Sequence, residues 1–160
     1  MPFQIQNSPA TFAPLLKIPA IGLELSVRLP QSASDGSLVI LETTNAPGFG
    51  PPLHRHPETE IFRILEGEYL YEVDGKRFHA TPGDLITVPG GVPHTFTNLS
   101  PQPARQIVLM LPAMDAQAFF TGLGDLMAAG RPDKATLAAY GAKWGVEFLG
   151  PPIHATTELP

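Results

Sequence analysis

Four side chains in this sequence have the types and spacing to hold a divalent metal ion: His54, His56, Glu60 and His94. His54 and His56 are one residue apart. In a strand, residues i and i+2 point to the same face, so both imidazoles can reach one ion. Glu60 follows four residues later, across Pro57, with the same parity, and His94 comes from a separate strand after a Gly-Pro turn. Three imidazoles and one carboxylate suit Fe(II), Mn(II), Ni(II), Cu(II), Co(II) or Zn(II), with one or two coordination positions left open. An open position distinguishes a catalytic metal site from a structural one. Taken singly, each of these residues is unremarkable: a His-x-His pair often arises by chance, and a lone glutamate is usually a solvated face. Parity alone also admits Glu58 as the carboxylate.

Other chemistries find little support. The chain has no cysteine, which excludes disulfides, thiolate metal sites, iron–sulfur clusters and cysteine nucleophiles. Gly48-x-Gly50 is followed by prolines and not by a helix, so it does not form a phosphate cradle, and no Ser-His-Asp arrangement is suggested. The net charge is −5 and the longest basic run is Lys76-Arg77, which argues against a nucleic-acid or anionic-membrane partner. No apolar run reaches the ~18 residues of a membrane-spanning helix. The first residues lack the basic and apolar regions of a secretory leader, so the expected location is cytoplasmic.

The elements that must position the four residues read as strands. Length, at 160 residues, fits one domain, and 43% hydrophobic against 16% charged residues marks a globular chain. Pro (19) and Gly (15) together are too abundant for a helical bundle and suit many short strands joined by turns. Residues 1–20 read as an extended arm with one strand at most. Leu23, Leu25, Val27 and Leu29 alternate with polar residues, and 38–41 is a buried-strand candidate. Strands are expected over 60–65, 68–73, 77–80, 85–88, 94–98 and 105–111, with a two-residue hairpin at Asp74-Gly75. After Pro112 the period changes: Phe119, Leu123, Leu126 and Met127 share one helical face. Gly130 and Pro132 close that helix, and a second begins near Asp133, with Leu137, Tyr140, Gly141 and Trp144 on one face. Residues 150–160 read as a loose tail. The expected organisation is an arm (1–20), a barrel (21–112) and a helical extension (113–160) packed on the outside of the barrel, the alternative being helices that cover a barrel mouth or extend a dimer interface.

Two stretches carry a resemblance. Gly48-x5-His54-x-His56-x3-Glu60-x6-Gly67 resembles the first motif of the cupin superfamily, and Gly83-x5-Pro89-x-Gly91-x2-His94-x3-Asn98 resembles the second. Together they span residues 48–98. The resemblance implies a mostly β protein: a cupin-type jelly-roll β-barrel, here with two short C-terminal helices. It also implies one divalent metal ion per chain, held inside by His54, His56, Glu60 and His94, and a homodimer. The motif spacing favours Glu60 over Glu58. Trp144 to Pro152 resembles the C-terminal end of small bacterial single-domain cupins described as quercetin-dioxygenase-like. That likeness implies an oxygenase acting on a small aromatic or enolic substrate, with Glu60 as a catalytic proton acceptor. The alternatives are an isomerase or lyase on the same site, or a cupin that binds a metal or small molecule without turnover. The scattered cations disfavour a phosphorylated sugar as substrate.

Parity supplies the expected pocket wall. Phe62 and Ile64 match Glu60, and Phe96 matches His94, so Phe62 and Phe96 are candidate substrate contacts, while Ile64 fits plain core equally well. Tyr69 and Tyr71 share a face whose direction is open. Gln106 shares a face with Met110 and suits either a polar contact or the surface. Asn98 suits capping of backbone groups, His79 a solvated face, and His154 the tail.

Overall fold

The computed structural model describes residues 3–10 and 15–154, so the tail expectation for 155–160 and part of the arm lie outside it. Eleven strands and two α-helices are seen among the described residues. In chain order the first strands are β1 (Leu16–Ile18), β2 (Leu23–Leu29), β3 (Val39–Asn45), β4 (Leu53–Arg55), β5 (Thr59–Glu66) and β6 (Tyr69–Val73). They are followed by β7 (Lys76–Ala80), β8 (Leu85–Val88), β9 (His94–Asn98) and β10 (Ala104–Leu111). The helices α1 (Ala116–Leu126) and α2 (Lys134–Lys143) come next, and β11 (Glu147–Gly150) closes the series.

These strands form two antiparallel sheets, ordered β1-β2-β3-β10-β5-β8 and β11-β4-β9-β6-β7. The chain crosses repeatedly from one sheet to the other, which makes the architecture a jelly roll: mostly β, with two short helices near its C-terminal end. Alternation decides what is inside. Along β3, Val39, Leu41, Thr43 and Asn45 are buried, and along β10 Ala104, Gln106, Val108 and Met110 are buried. Phe62, Ile64, Tyr69, Tyr71 and Phe96 complete the core between the sheets.

Turn chemistry sets the registers. Asp74 (φ 51°) and Gly75 (φ 75°) both occupy the left-handed region, as a two-residue hairpin between β6 and β7 requires. Asn98 does cap backbone groups: its side-chain N–H donates to the carbonyls of Asn45 (3.0 Å) and Gln102 (2.8 Å), and its Oδ1 accepts from Ser100 N–H (2.8 Å). Both helices start on aspartate caps. Asp115 accepts from Ala118 N–H and Asp133 from Thr136 N–H.

The C-terminal segment differs from the expected helical extension on the outside of the barrel. β11 pairs with β4, so residues 147–150 are an edge strand of the barrel itself. Four residues with Glu147 and Leu149 exposed carry too short an alternation to be read as a strand, and it is pairing with β4 that defines one. The helices do not simply coat the outside either. Phe119, Leu123 and Met127 of the α1 segment form a second core with Ile18 of β1 and Val146, and α1 closes over the open side of the barrel. The arm likewise contributes β1, paired to β2.

Candidate metal centre

The four candidate ligands come from three elements. His54 lies in β4, Glu60 in β5 and His94 in β9, while His56 sits just past the end of β4. The shared parity of Glu60 with the histidine pair therefore has no structural meaning, because the chain changes sheets between His56 and Glu60. Convergence comes instead from the crossover. His54 faces His94 across the β4–β9 pair. The loop before His94 is tied to the crossover: Gly91 N–H donates to the His56 carbonyl (2.7 Å) and Gly90 N–H to Thr59 Oγ1 (3.2 Å). A Cβ on Gly90 would lie 2.0 Å from the Pro57 carbonyl oxygen, so only glycine allows this approach.

One donor atom from each of the four residues lies within 4.8 Å of all the others. His56, Glu60 and His94 are buried and His54 is half-buried. Glu58 is not among the four. Its Oε2 lies 3.3 Å from His56 Nδ1, on the side of the ring away from Glu60, without a hydrogen bond between them.

The hydrogen bonds fix how two of the rings present themselves. His54 Nδ1 is 2.7 Å from the Pro52 carbonyl and His94 Nδ1 is 2.9 Å from the Val92 carbonyl. A carbonyl only accepts, so both Nδ1 atoms carry hydrogen and both Nε2 atoms turn a lone pair inward. His94 Nε2 then meets Glu60 Oε2 at 2.7 Å, and His56 Nε2 meets the same oxygen at 3.1 Å. A lone pair facing a carboxylate at 2.7 Å calls for a positive centre between them, either a proton or a metal cation. By this test the donor set fits a divalent metal.

Electrostatics point the same way. Burial, with the neighbouring His94, holds His54 down to about 3 against the pull of Glu60, so its ring stays neutral and able to donate a lone pair. Burial alone would raise the Glu60 carboxyl, but its close contacts with the His56 and His94 rings outweigh it and hold the group well below the usual carboxylate range. Burial likewise works against charge on His56, but the hydrogen bond and charge of Glu60, with Glu58 behind, outweigh it and move this ring upward.

The cluster opens into a cavity of about 740 Å³. Phe62 and Phe96 line it beside the ligands, as parity indicated, whereas Ile64 belongs to the core behind. Tyr69 and Tyr71 point inward: Tyr69 O–H donates to Asn45 Oδ1 (2.9 Å) and Tyr71 O–H to Gln106 Oε1 (2.5 Å). Burial raises both phenols above their ordinary value. Gln106 is thus an interior group and not a surface one. His79 is exposed against Glu68, and His154 is exposed near the C-terminal end. Phe119, Leu123 and Met127 roof the cavity, in keeping with the alternative that the helices cover a barrel mouth, whereas sequence reasoning missed Met114, Phe120 and Phe148, whose strand residue faces His54. It also missed Thr43 and Asn45, which parity with Leu41 would have found had the strand at 38–41 been extended.

Two crossing antiparallel sheets with a three-histidine, one-carboxylate cluster between them define a jelly-roll barrel with a candidate metal centre in its interior. The cupin domain family matches residues 41–110, the stretch that carries all four candidate ligands. It is 28% identical over 96 residues to quercetin 2,3-dioxygenase of Bacillus subtilis (strain 168), a match covering 59% of this chain and 28% of that protein. It is 37% identical over 73 residues to acireductone dioxygenase of Rhodopseudomonas palustris (strain TIE-1), covering 43% of this chain and 44% of the relative. The matches thus span less than half the length of either relative. A solved RmlC-like cupin from Shewanella frigidimarina NCIMB 400 shares the fold with a TM-score of 0.62 at 23% identity, over 72% of this chain and 97% of its own. Among the described residues, no helix is long and apolar enough to cross a membrane.

Proposed function

We propose that this protein is a metal-dependent oxygenase acting on a small aromatic or enolic substrate. The observation that carries the reading is a four-donor cluster opening onto a cavity walled mainly by apolar side chains. The low-identity likeness to two dioxygenases supports it. In this reading one divalent ion per chain is held by His54, His56, Glu60 and His94. Such an ion supplies Lewis acidity that lowers the pKa of a hydroxyl or enol bound to it. The chain's own residues do the rest. The Pro52 and Val92 carbonyls hold the His54 and His94 rings in their ligating orientation. Phe62 and Phe96 exclude water and offer ring edges to a flat substrate. Glu60 takes the substrate proton: both imidazole contacts go to Oε2, and Oε1 is assigned that role. A homodimer belongs to the same proposal. Phe3 and Ile5 stand exposed in the arm, apolar surface that a second copy would cover, and light scattering in solution tests it.

The deciding experiment reconstitutes the protein anaerobically with Fe(II), Mn(II), Ni(II), Co(II), Cu(II) or Zn(II), then measures oxygen uptake with flavonols and related enols. Oxygen consumption matched to substrate loss is expected. Metal-dependent turnover without oxygen would replace the oxygenase with an isomerase or lyase. Bound metal with no turnover would leave a binding protein.

A further inference from the structure

The cavity has a second polar end that the metal centre does not account for. Thr43 lines it, is 7% exposed, and its hydroxyl is buried with no hydrogen-bond partner. Gln106, directly across the β3–β10 pair, is fully buried and its Nε2 is also unpaired. Asn45, two residues along β3, lines the same cavity with its Oδ1 occupied by Tyr69. Buried polar groups are almost always satisfied, so two orphans facing each other across one strand pair need an explanation.

Their distance from the metal centre is set by register. On β10, Met110 faces Glu60 on one side, and Gln106 faces Thr43 on the other. Four residues of strand separate these levels, about 13 Å at ~3.3 Å per residue. Phe62, Val108 and Leu41 fill the level between them, all on the cavity wall.

We infer that Thr43, backed by Gln106 and Asn45, is a specificity subsite that hydrogen-bonds an oxygen at the far end of the substrate. The ligand class is then an elongated, flat, largely apolar molecule with oxygen at both ends, one end at the four-residue cluster and the other at Thr43. A turn of the Thr43 side chain toward Gln106 extends the chain already begun by Tyr71. Tyr71 O–H donates to Gln106 Oε1; the Gln106 amide then donates to Thr43 Oγ1, and the Thr43 O–H is aimed at the ligand. This deepens the oxygenase reading, on which the metal end of the ligand rests, but the subsite is tested by binding and not by turnover.

The test uses Zn(II)-loaded protein under nitrogen and a matched pair of probes, 3-hydroxyflavone and 3,4′-dihydroxyflavone, which differ only in the distal hydroxyl. Affinities are read by titration calorimetry. The wild type is expected to prefer the dihydroxy probe by about 3- to 10-fold, the span of one net hydrogen bond. Thr43→Val, nearly isosteric and well suited to a strand, is expected to abolish that preference while still binding the monohydroxy probe. Thr43→Ser is expected to restore it. A preference that survives in Thr43→Val, a wild type that does not discriminate, or no binding of either probe overturns the inference. A buried water alone at Thr43 gives the non-discriminating result. Probe binding with the expected pattern but no oxygen uptake under any redox-active metal would refute the oxygenase reading and leave the subsite standing.

Discussion

Replacing His54 with Gln is expected to flatten the acid side of the stability profile of the metal-free protein. In the fold His54 stays neutral down to about 3, whereas in the unfolded chain it takes a proton near 6.5. Below pH 6.5 the unfolded state therefore binds one more proton than the folded state at this residue. A folded-state value depressed below the unfolded one makes stability fall as pH falls, by about 1.4 kcal/mol per pH unit for one proton. From pH 6.5 to 4.5 that amounts to about 2.7 kcal/mol, a large share of a typical domain's stability. The neighbouring groups act outside this window. His56 is shifted up, so it is charged in both states below 6.5, and its stabilisation is lost only as pH rises above that value. Glu60 is shifted down from 4.5, so its stabilisation is present above 4.5 and is lost only as pH falls below it. Urea denaturation of chelator-treated wild type and His54→Gln at pH 6.5, 5.5 and 4.5 reads the difference. The variant's profile should be shallower by about 1.4 kcal/mol per unit. Equal slopes for the two proteins would refute the claim that His54 is held neutral in the fold.

Three further outcomes are expected. His54→Ala or His94→Ala should lose most of the bound metal yet keep a β-type circular dichroism spectrum, because the barrel core is large enough to stand without the ion; elemental analysis beside the spectrum checks both halves. Metal affinity should fall by about tenfold per pH unit per proton displaced, beginning above pH 6.5, because the proton on His56 is held more tightly than on a free imidazole; a flat titration from pH 8 to 5 would contradict imidazole ligation. Tyr71→Phe should cost about 1–3 kcal/mol in urea denaturation, since it strips the donor from a fully buried Gln106 Oε1, and a neutral result would place a water in that contact.

Much of the candidate metal centre is legible in the sequence because its constraints are local. A His-x-His pair, a glutamate at fixed spacing, and the turn residues Asp74-Gly75 and Gly83 each depend on a few neighbouring residues, and each lies where its spacing indicated. Strand alternation likewise placed Phe62 and Phe96 on the cavity wall. Parity misled where the backbone leaves its strand. His56 and Glu60 have matching parity, yet they belong to different sheets, and the period of 2 means nothing across a crossover.

By its residues alone, this chain determined a Cys-free, turn-rich β domain and the identity of the four candidate ligands, because composition, period and motif spacing are properties of contiguous sequence. Only the tertiary structure decided that the helices roof the cavity, that 147–150 complete the sheet beside His54, and that Thr43 and Gln106 face each other unpaired. Those facts depend on which distant strands pair and in what register, and register is set by the whole packed core and not by any one stretch of the chain.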